Sequence, residues 1–181
     1  MKKLLLGLGS IAAVVAPMAA VISCSDSTDM EWAVGTPLET GKQTTLKAAA
    51  NTALGMNSSD IDSVSKITNY TFTTTISEGA KFVKKTFTFK NAIIYNLKSS
   101  STSFKINYGS GANNISTNGG GQIILGMSEL SARAAATVPH FYILMKYGLP
   151  AIGGSNKWLN EVTNSNKITA IKTSILEPVF A

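Results

Sequence analysis

Along the middle of the chain apolar side chains recur at every second position: Tyr70, Phe72 and Ile76 with Thr74 in step, then Phe87 and Phe89, then Phe104, Ile106 and Tyr108. A two-residue beat puts one face of an extended segment in a core and the other in water, so these stretches read as half-buried strands. Glu78 with Gly79 predicts a turn between the first two, Lys90 with Asn91 a second and the serine-rich Lys98 to Thr102 a third. Residues 66–108 then form an antiparallel β-meander whose inward aromatics are core and whose intervening lysines face water. Upstream, the alanine-rich stretch Lys42 to Leu54 predicts a helix stopped by Gly55. Ser58 or Ser59 caps a second short helix through Ser65, with Ile61 and Val64 three apart on one face.

Downstream, Gly109 to Gly121 is glycine-rich and reads as an exposed loop. It lacks the lysine followed by serine or threonine that a phosphate-binding loop requires. Gln122 to Met127 has the look of a buried strand, and Ser128 caps a helix through Ala136 with Glu129 in its first turn. Pro139 opens a second apolar segment, His140 to Tyr147, ended by Gly148. Ser155 caps a short helix carrying Trp158 and Leu159, and Lys167 to Phe180 returns as a closing strand. The expected fold class is α+β: one domain over residues 42–181, an antiparallel β-meander sheet packed by a few short helices.

The first 41 residues obey neither period. Lys2 and Lys3 precede Leu4 to Ile22, which holds no charged residue, and the stretch ends at Cys24, the only cysteine of the chain. A basic start, an apolar body and small residues at its end are the layout of a secretory signal. Gly7, Gly9, Ser10 and Pro17 weaken it as a stable membrane span. One sulfur cannot close a disulfide within a monomer, which leaves a free thiol, an intermolecular bridge or a lipid. Val21, Ile22, Ser23 and Cys24 form an aliphatic, small, cysteine-ended box, and this resembles the bacterial prolipoprotein signal. The resemblance implies an S-diacylglyceryl group on Cys24, cleavage between Ser23 and Cys24, and an N-palmitoyl group as a further modification of the new amino terminus. Two acyl chains hold a protein to a bilayer by on the order of 20 kcal/mol, at roughly 0.8 per buried methylene. The expected partner of Cys24 is therefore a lipid bilayer, and residues 24–41 are expected as a flexible tether, with Trp32 docking back on the domain in preference to the alternative, a place at the membrane interface.

Composition sharpens the address. Arg133 is the only arginine against fifteen lysines, and asparagine, threonine, serine and isoleucine are abundant, as in coding from an AT-rich genome. Together with the opening MKKLLLGLGSIAAVV and the lipobox, the chain is similar to surface lipoproteins of mollicutes, the wall-less mycoplasma group. That similarity covers about the first 25 residues and is compositional beyond them. In such cells the outer face of the plasma membrane is the cell surface, which is the expected location. Removing residues 1–23 takes away two lysines, so the formal net charge falls from +6 to +4. No clustered basic stripe remains, which argues against a nucleic-acid partner. Lys81, Lys84 and Lys85 form the densest basic spot, a solvated face or else a contact for an acidic surface such as glycosaminoglycan or anionic lipid.

Candidate chemistry is sparse. His140 is the only histidine, so histidine-rich metal sites and cysteine–histidine catalysis lack their residues. No G-x-S-x-G elbow occurs. Of ten acidic residues, Asp26, Asp29, Glu31, Asp60 and Asp62 lie in the tether or the early helical region and the rest are isolated. No catalytic residue, metal ligand or cofactor site is expected. Two functions remain: an interaction module, adhesin or surface antigen, whose loops, Gly109 to Gly121 above all, meet host molecules or antibodies; or a lipid-anchored solute-binding protein feeding a transporter, with Tyr70, Tyr95, Tyr108, Tyr142 and Trp158 around a small-molecule pocket.

Overall fold

A computed structural model describes the protein over residues 20–25, 31–109, 111–128, 140–150 and 154–181. Its spine is β5 (Lys81–Leu97), long enough to carry two neighbours in succession along one edge. β3 (Ile61–Ile67) pairs Ile61 with Leu97 and Ile67 with Ala92, and β4 (Tyr70–Glu78) continues from Tyr70 opposite Phe89 to Glu78 opposite Lys81. The other edge of β5 takes β8 (Gly121–Ser128), then β9 (Phe141–Gly148), β10 (Ser155–Val162) and β1 (Ala20–Ser25), all antiparallel. Short β2 (Thr36–Pro37) closes the β3 side, and β6 (Ser103–Ile106) with β7 (Asn113–Ser116) makes a separate two-stranded ribbon. The register aligns Ser25, Ser155, Gly148, Gly121, Leu97 and Ile61 at one end of the sheet. The β4–β5 arm runs past the other end, and the sheet curls so that β4 comes to lie beside β1.

Alternation along the strands feeds two cores. One face buries Val64, Ile93, Tyr95, Ile123, Leu125, Phe141, Ile143 and Trp158 against α1 (Thr40–Leu54) and the C-terminal helix, which runs as α2 (Ser165–Ile171), a π-helical stretch Lys172–Leu176 and α3 (Glu177–Phe180). The other, enclosed by the curl, buries Phe72, Phe87, Phe89, Ile94, Ile124, Tyr142, Leu144 and Leu159. The Phe72 ring stacks on Phe87 at 5.6 Å and meets Phe89 edge-on at 5.0 Å. Gly126 makes room for this cluster, since a Cβ there would stand 2.6 Å from the Phe89 ring. The result is an α+β domain that is mostly antiparallel sheet.

Several local expectations hold. α1 ends where Gly55 takes φ 64, a left-handed value that a residue with a Cβ adopts at a cost, and the Glu78–Gly79 turn joins β4 to β5. Others are corrected. Only Ser58–Asp60 is helical after α1, as a single 3-10 turn, and β3 follows at once; a register shift between Ile61 and Ser63 brings Ile61 and Val64 to one face, imitating a helical spacing. Lys90 and Asn91 do not turn the chain: β5 passes through them, with its irregularity between Phe89 and Ala92. Residues 113–116 of the expected glycine-rich loop pair as β7. The apolar segment after Pro139 is strand β9. Ser155 starts strand β10 rather than a helix, and the stretch from Lys167 is helical rather than a strand, because Ile168, Ile171, Ile175 and Val179 recur at three and four residues and turn to the core. The helix expected from Ser128 through Ala136 falls, beyond Ser128, outside the described residues.

Candidate functional site: a lysine row beside the first strand

A polar row crosses the sheet in register near its Gly121 end. Ser63 stands opposite Asn96, Asn96 opposite Gln122, Gln122 opposite Lys146, Lys146 opposite Lys157, and Lys157 opposite Ser23. Hydrogen bonds tie part of it together: Gln122 Nε2 donates to Asn96 Oδ1 at 2.9 Å, and Asn96 Nδ2 to Ser63 Oγ at 3.1 Å. Gln122 also clamps the backbone of Ala33 from both sides, accepting from its N–H and donating to its carbonyl at 2.8 Å each. Next to that clamp, Lys146 Nζ donates to the Glu31 carbonyl at 2.7 Å and to the Tyr70 hydroxyl, and lies 5.1 Å from the centre of the Tyr70 ring. Residues 31–38, expected as part of a flexible tether, are thus held to the sheet, with β2 and a Leu38 N–H to Val64 carbonyl bond completing the attachment.

The electrostatics of the row are unusual. Lys146 is 2% exposed, and like charges directly opposite on neighbouring strands repel. Burial first, and then the neighbouring Lys157, pull the Lys146 ammonium down from 10.5 to about 8, with Glu31 partly offsetting the shift. Lys157 is also lowered, by burial, with Glu31 opposing and Lys84 adding to the shift; its Nζ reaches across to the Thr73 carbonyl on β4 at 3.2 Å. Burial, helped by Glu31, pushes the Tyr70 hydroxyl up to about 12. Chemically the row gathers ammonium donors that seize backbone carbonyls, and here they fasten β4 and the entering chain to β9 and β10.

Ser23 and Cys24, the expected processing and lipidation residues, lie in β1 opposite Lys157 and Asn156. His140 makes a hydrogen bond between Nδ1 and Glu161 Oε1 at 2.7 Å, while its buried Nε2 has no partner among the described residues. The five rings considered for a solute pocket do not converge: Tyr95, Tyr108 and Trp158 belong to the helix-covered core, Tyr70 and Tyr142 to the enclosed one. Among the described residues no three histidine, cysteine or acidic side chains gather as a metal site, and no helix is long and apolar enough to cross a membrane. The lysine row escaped sequence reasoning, although one signal existed: Lys146 interrupts the otherwise apolar run FYILM before Tyr147. No protein-family model, curated protein or solved structure matches the chain.

Proposed function

We propose that the protein is a membrane-anchored surface lipoprotein, held by acyl chains on Cys24 at the outer face of the plasma membrane, and that it is a non-catalytic interaction module, an adhesin or surface antigen, presenting the tip of the β4–β5 arm. The observation that carries this reading is the opposition of two ends. The chain enters at the Gly121 end, where Cys24 stands opposite Asn156 and Lys146 and Gln122 grip Glu31 and Ala33. The arm projects from the other end, with Lys81 and Lys84 exposed around Phe82, itself 50% exposed. Lys85 is engaged with Glu78. A tip of that composition suits an acidic surface with apolar features. The glycine-rich stretch is a weaker candidate, because Asn118 bonds to the Gly148 carbonyl at 3.1 Å, on the anchored end. The division of the five rings between two cores weighs against the solute-binding alternative.

The test combines address and contact. Labelled fatty acid enters the wild type and sediments with membranes, whereas Cys24→Ser carries no label and leaves the membrane fraction. On membranes bearing the wild type, binding of sulfated polysaccharide falls when Lys81→Gln and Lys84→Gln are combined. An unlabelled wild type refutes the anchor, and undiminished binding refutes the tip.

A further inference from the structure

We propose that the outward face of the β4–β5 arm is a polysaccharide-binding ladder, on which a linear chain bearing sulfate or carboxylate groups lies lengthwise; this rests on the reading of the arm as the contact element. Side chains of paired strands alternate between the two faces, so every second row of the arm points the same way. Phe72 with Phe87 turns to the enclosed core, where both are buried. The rows that turn outward are Thr71 with Thr88, Thr73 with Thr86, Thr75 with Lys84, and Ser77 with Phe82. All of these residues are exposed except the half-buried Thr75. Four rows on one face cover three intervals of two residues, about 20 Å along the arm.

The chemistry of the ladder changes along its length. The first two rows are threonine pairs whose Oγ1 atoms stand 2.9 Å and 3.1 Å apart. In each pair one hydroxyl donates to the other, which leaves one O–H and several oxygen lone pairs for a ligand, on side chains already held in place by the mutual bond. Toward the tip the third row brings the Lys84 ammonium and the fourth the Phe82 ring, 50% exposed. No acidic residue stands in the four rows, and Glu78, on the opposite face, is engaged with Lys85. At the β4 edge Lys157 binds the Thr73 carbonyl with Glu31 as well as Lys84 near it, so its charge is partly compensated and Lys84 sets the sign of the ladder. Fixed hydroxyls, then a cation, then a ring in water complement a sugar chain: its hydroxyls meet the threonines, an anionic group meets Lys84, and the C–H side of a sugar ring covers Phe82. An anionic bilayer is the poorer occupant, because the tip would meet it end-on and leave the threonine rows in water.

Titration of the purified protein with sulfated oligosaccharides of defined length tests this. Affinity rises with length until the chain spans the ladder, about 20 Å, because a shorter chain cannot reach the threonine rows and Phe82 together. Thr73→Val combined with Thr86→Val keeps two β-branched side chains on exposed strand positions and removes their hydroxyls, and it weakens binding by about fivefold or more. The matching Thr73→Ser and Thr86→Ser pair keeps the hydroxyls and stays within about twofold of the wild type. Binding that the valine pair leaves unchanged, or that the serine pair weakens as much as the valine pair, overturns the ladder. So does an affinity independent of length, or displacement of the oligosaccharide by phosphatidylserine vesicles, which would make a membrane the occupant. The combined Lys81→Gln and Lys84→Gln variant separates the two levels. If it abolishes binding while the valine pair does not, the arm remains the contact element and only the ladder falls; if neither weakens binding, the reading of the arm falls as well.

Discussion

Lys146 offers the sharpest quantitative test of the architecture, because its ammonium is buried in the sheet and its proton affinity is reduced on folding from 10.5 to about 8. Between those values the unfolded chain binds more protons than the folded one, so stability rises with pH through this window, and the full penalty is present below it. At 1.36 kcal/mol per unit the penalty is about 3 kcal/mol at pH 7 and falls to about 1 at pH 9.5, so about 2 kcal/mol is regained. The window closes near pH 10. There Tyr70, pushed up to about 12, keeps its proton in the folded state while the unfolded tyrosine releases it, and stability falls again. Urea unfolding at pH 7, 8, 9 and 9.5, run on the wild type beside Lys146→Met, separates this effect from titrations outside the row. The methionine keeps the length and apolar stem and removes the charge, so the wild type should gain about 2 kcal/mol relative to the variant across the series. A difference that stays flat to within about 0.5 kcal/mol, or that moves the other way, would show that Lys146 is not held charged in a buried row.

Two further substitutions probe the cores. Tyr95→Phe deletes the buried hydroxyl that donates to the Leu46 carbonyl at 2.9 Å and ties the sheet to α1, and should cost about 1–2 kcal/mol in urea unfolding; no measurable loss would mean that α1 is held by apolar packing alone. Gly126→Ala drives a methyl to 2.6 Å from the Phe89 ring and should cost about 1–3 kcal/mol, with part of the loss returned when Phe89→Leu is added; strictly additive effects of the two changes would count against the clash.

How much was legible followed from how far each signal is local. The hairpin at Glu78–Gly79, α1 with its glycine stop and the buried strand at Gln122 to Met127 depend on near neighbours in sequence, and a reading of periods finds them. β9 and β10 are buried on both faces over most of their length, so their runs lack a beat and the serine before Trp158 imitated a helix cap. The Ile61 and Val64 pair misled for a related reason, since a bulge in a strand and a turn of a helix both return side chains to one face after three residues. The lysine row depends on register alone. Gln122, Lys146 and Lys157 are neighbours because three strands align, and that alignment is fixed by the apolar positions around them.

Under the proposed acylation of Cys24, the grip on Glu31 and Ala33 also limits how far the domain can stand from a membrane. Only Ser25 to Met30 would separate the acylated residue from the first held one, and six residues span at most about 20 Å when fully extended. Just past that spacer, Trp32 is 44% exposed and Val34 85% exposed, with buried Ala33 between them, so both side chains turn outward at the Gly121 end of the sheet. Under the lipid anchor proposed above, an indole so placed comes within reach of the headgroup region, where its amphipathic ring is stable. Trp158, the other tryptophan, is 6% exposed in the helix-covered core and provides an internal reference. In vesicles containing brominated lipid, the anchored protein should lose the Trp32 share of its emission, and Trp32→Phe should leave only emission that the lipid does not quench. Equal quenching of the wild type and Trp32→Phe, or none in either, would mean that the spacer holds this end clear of the bilayer and that the exposed pair serves a contact made in water.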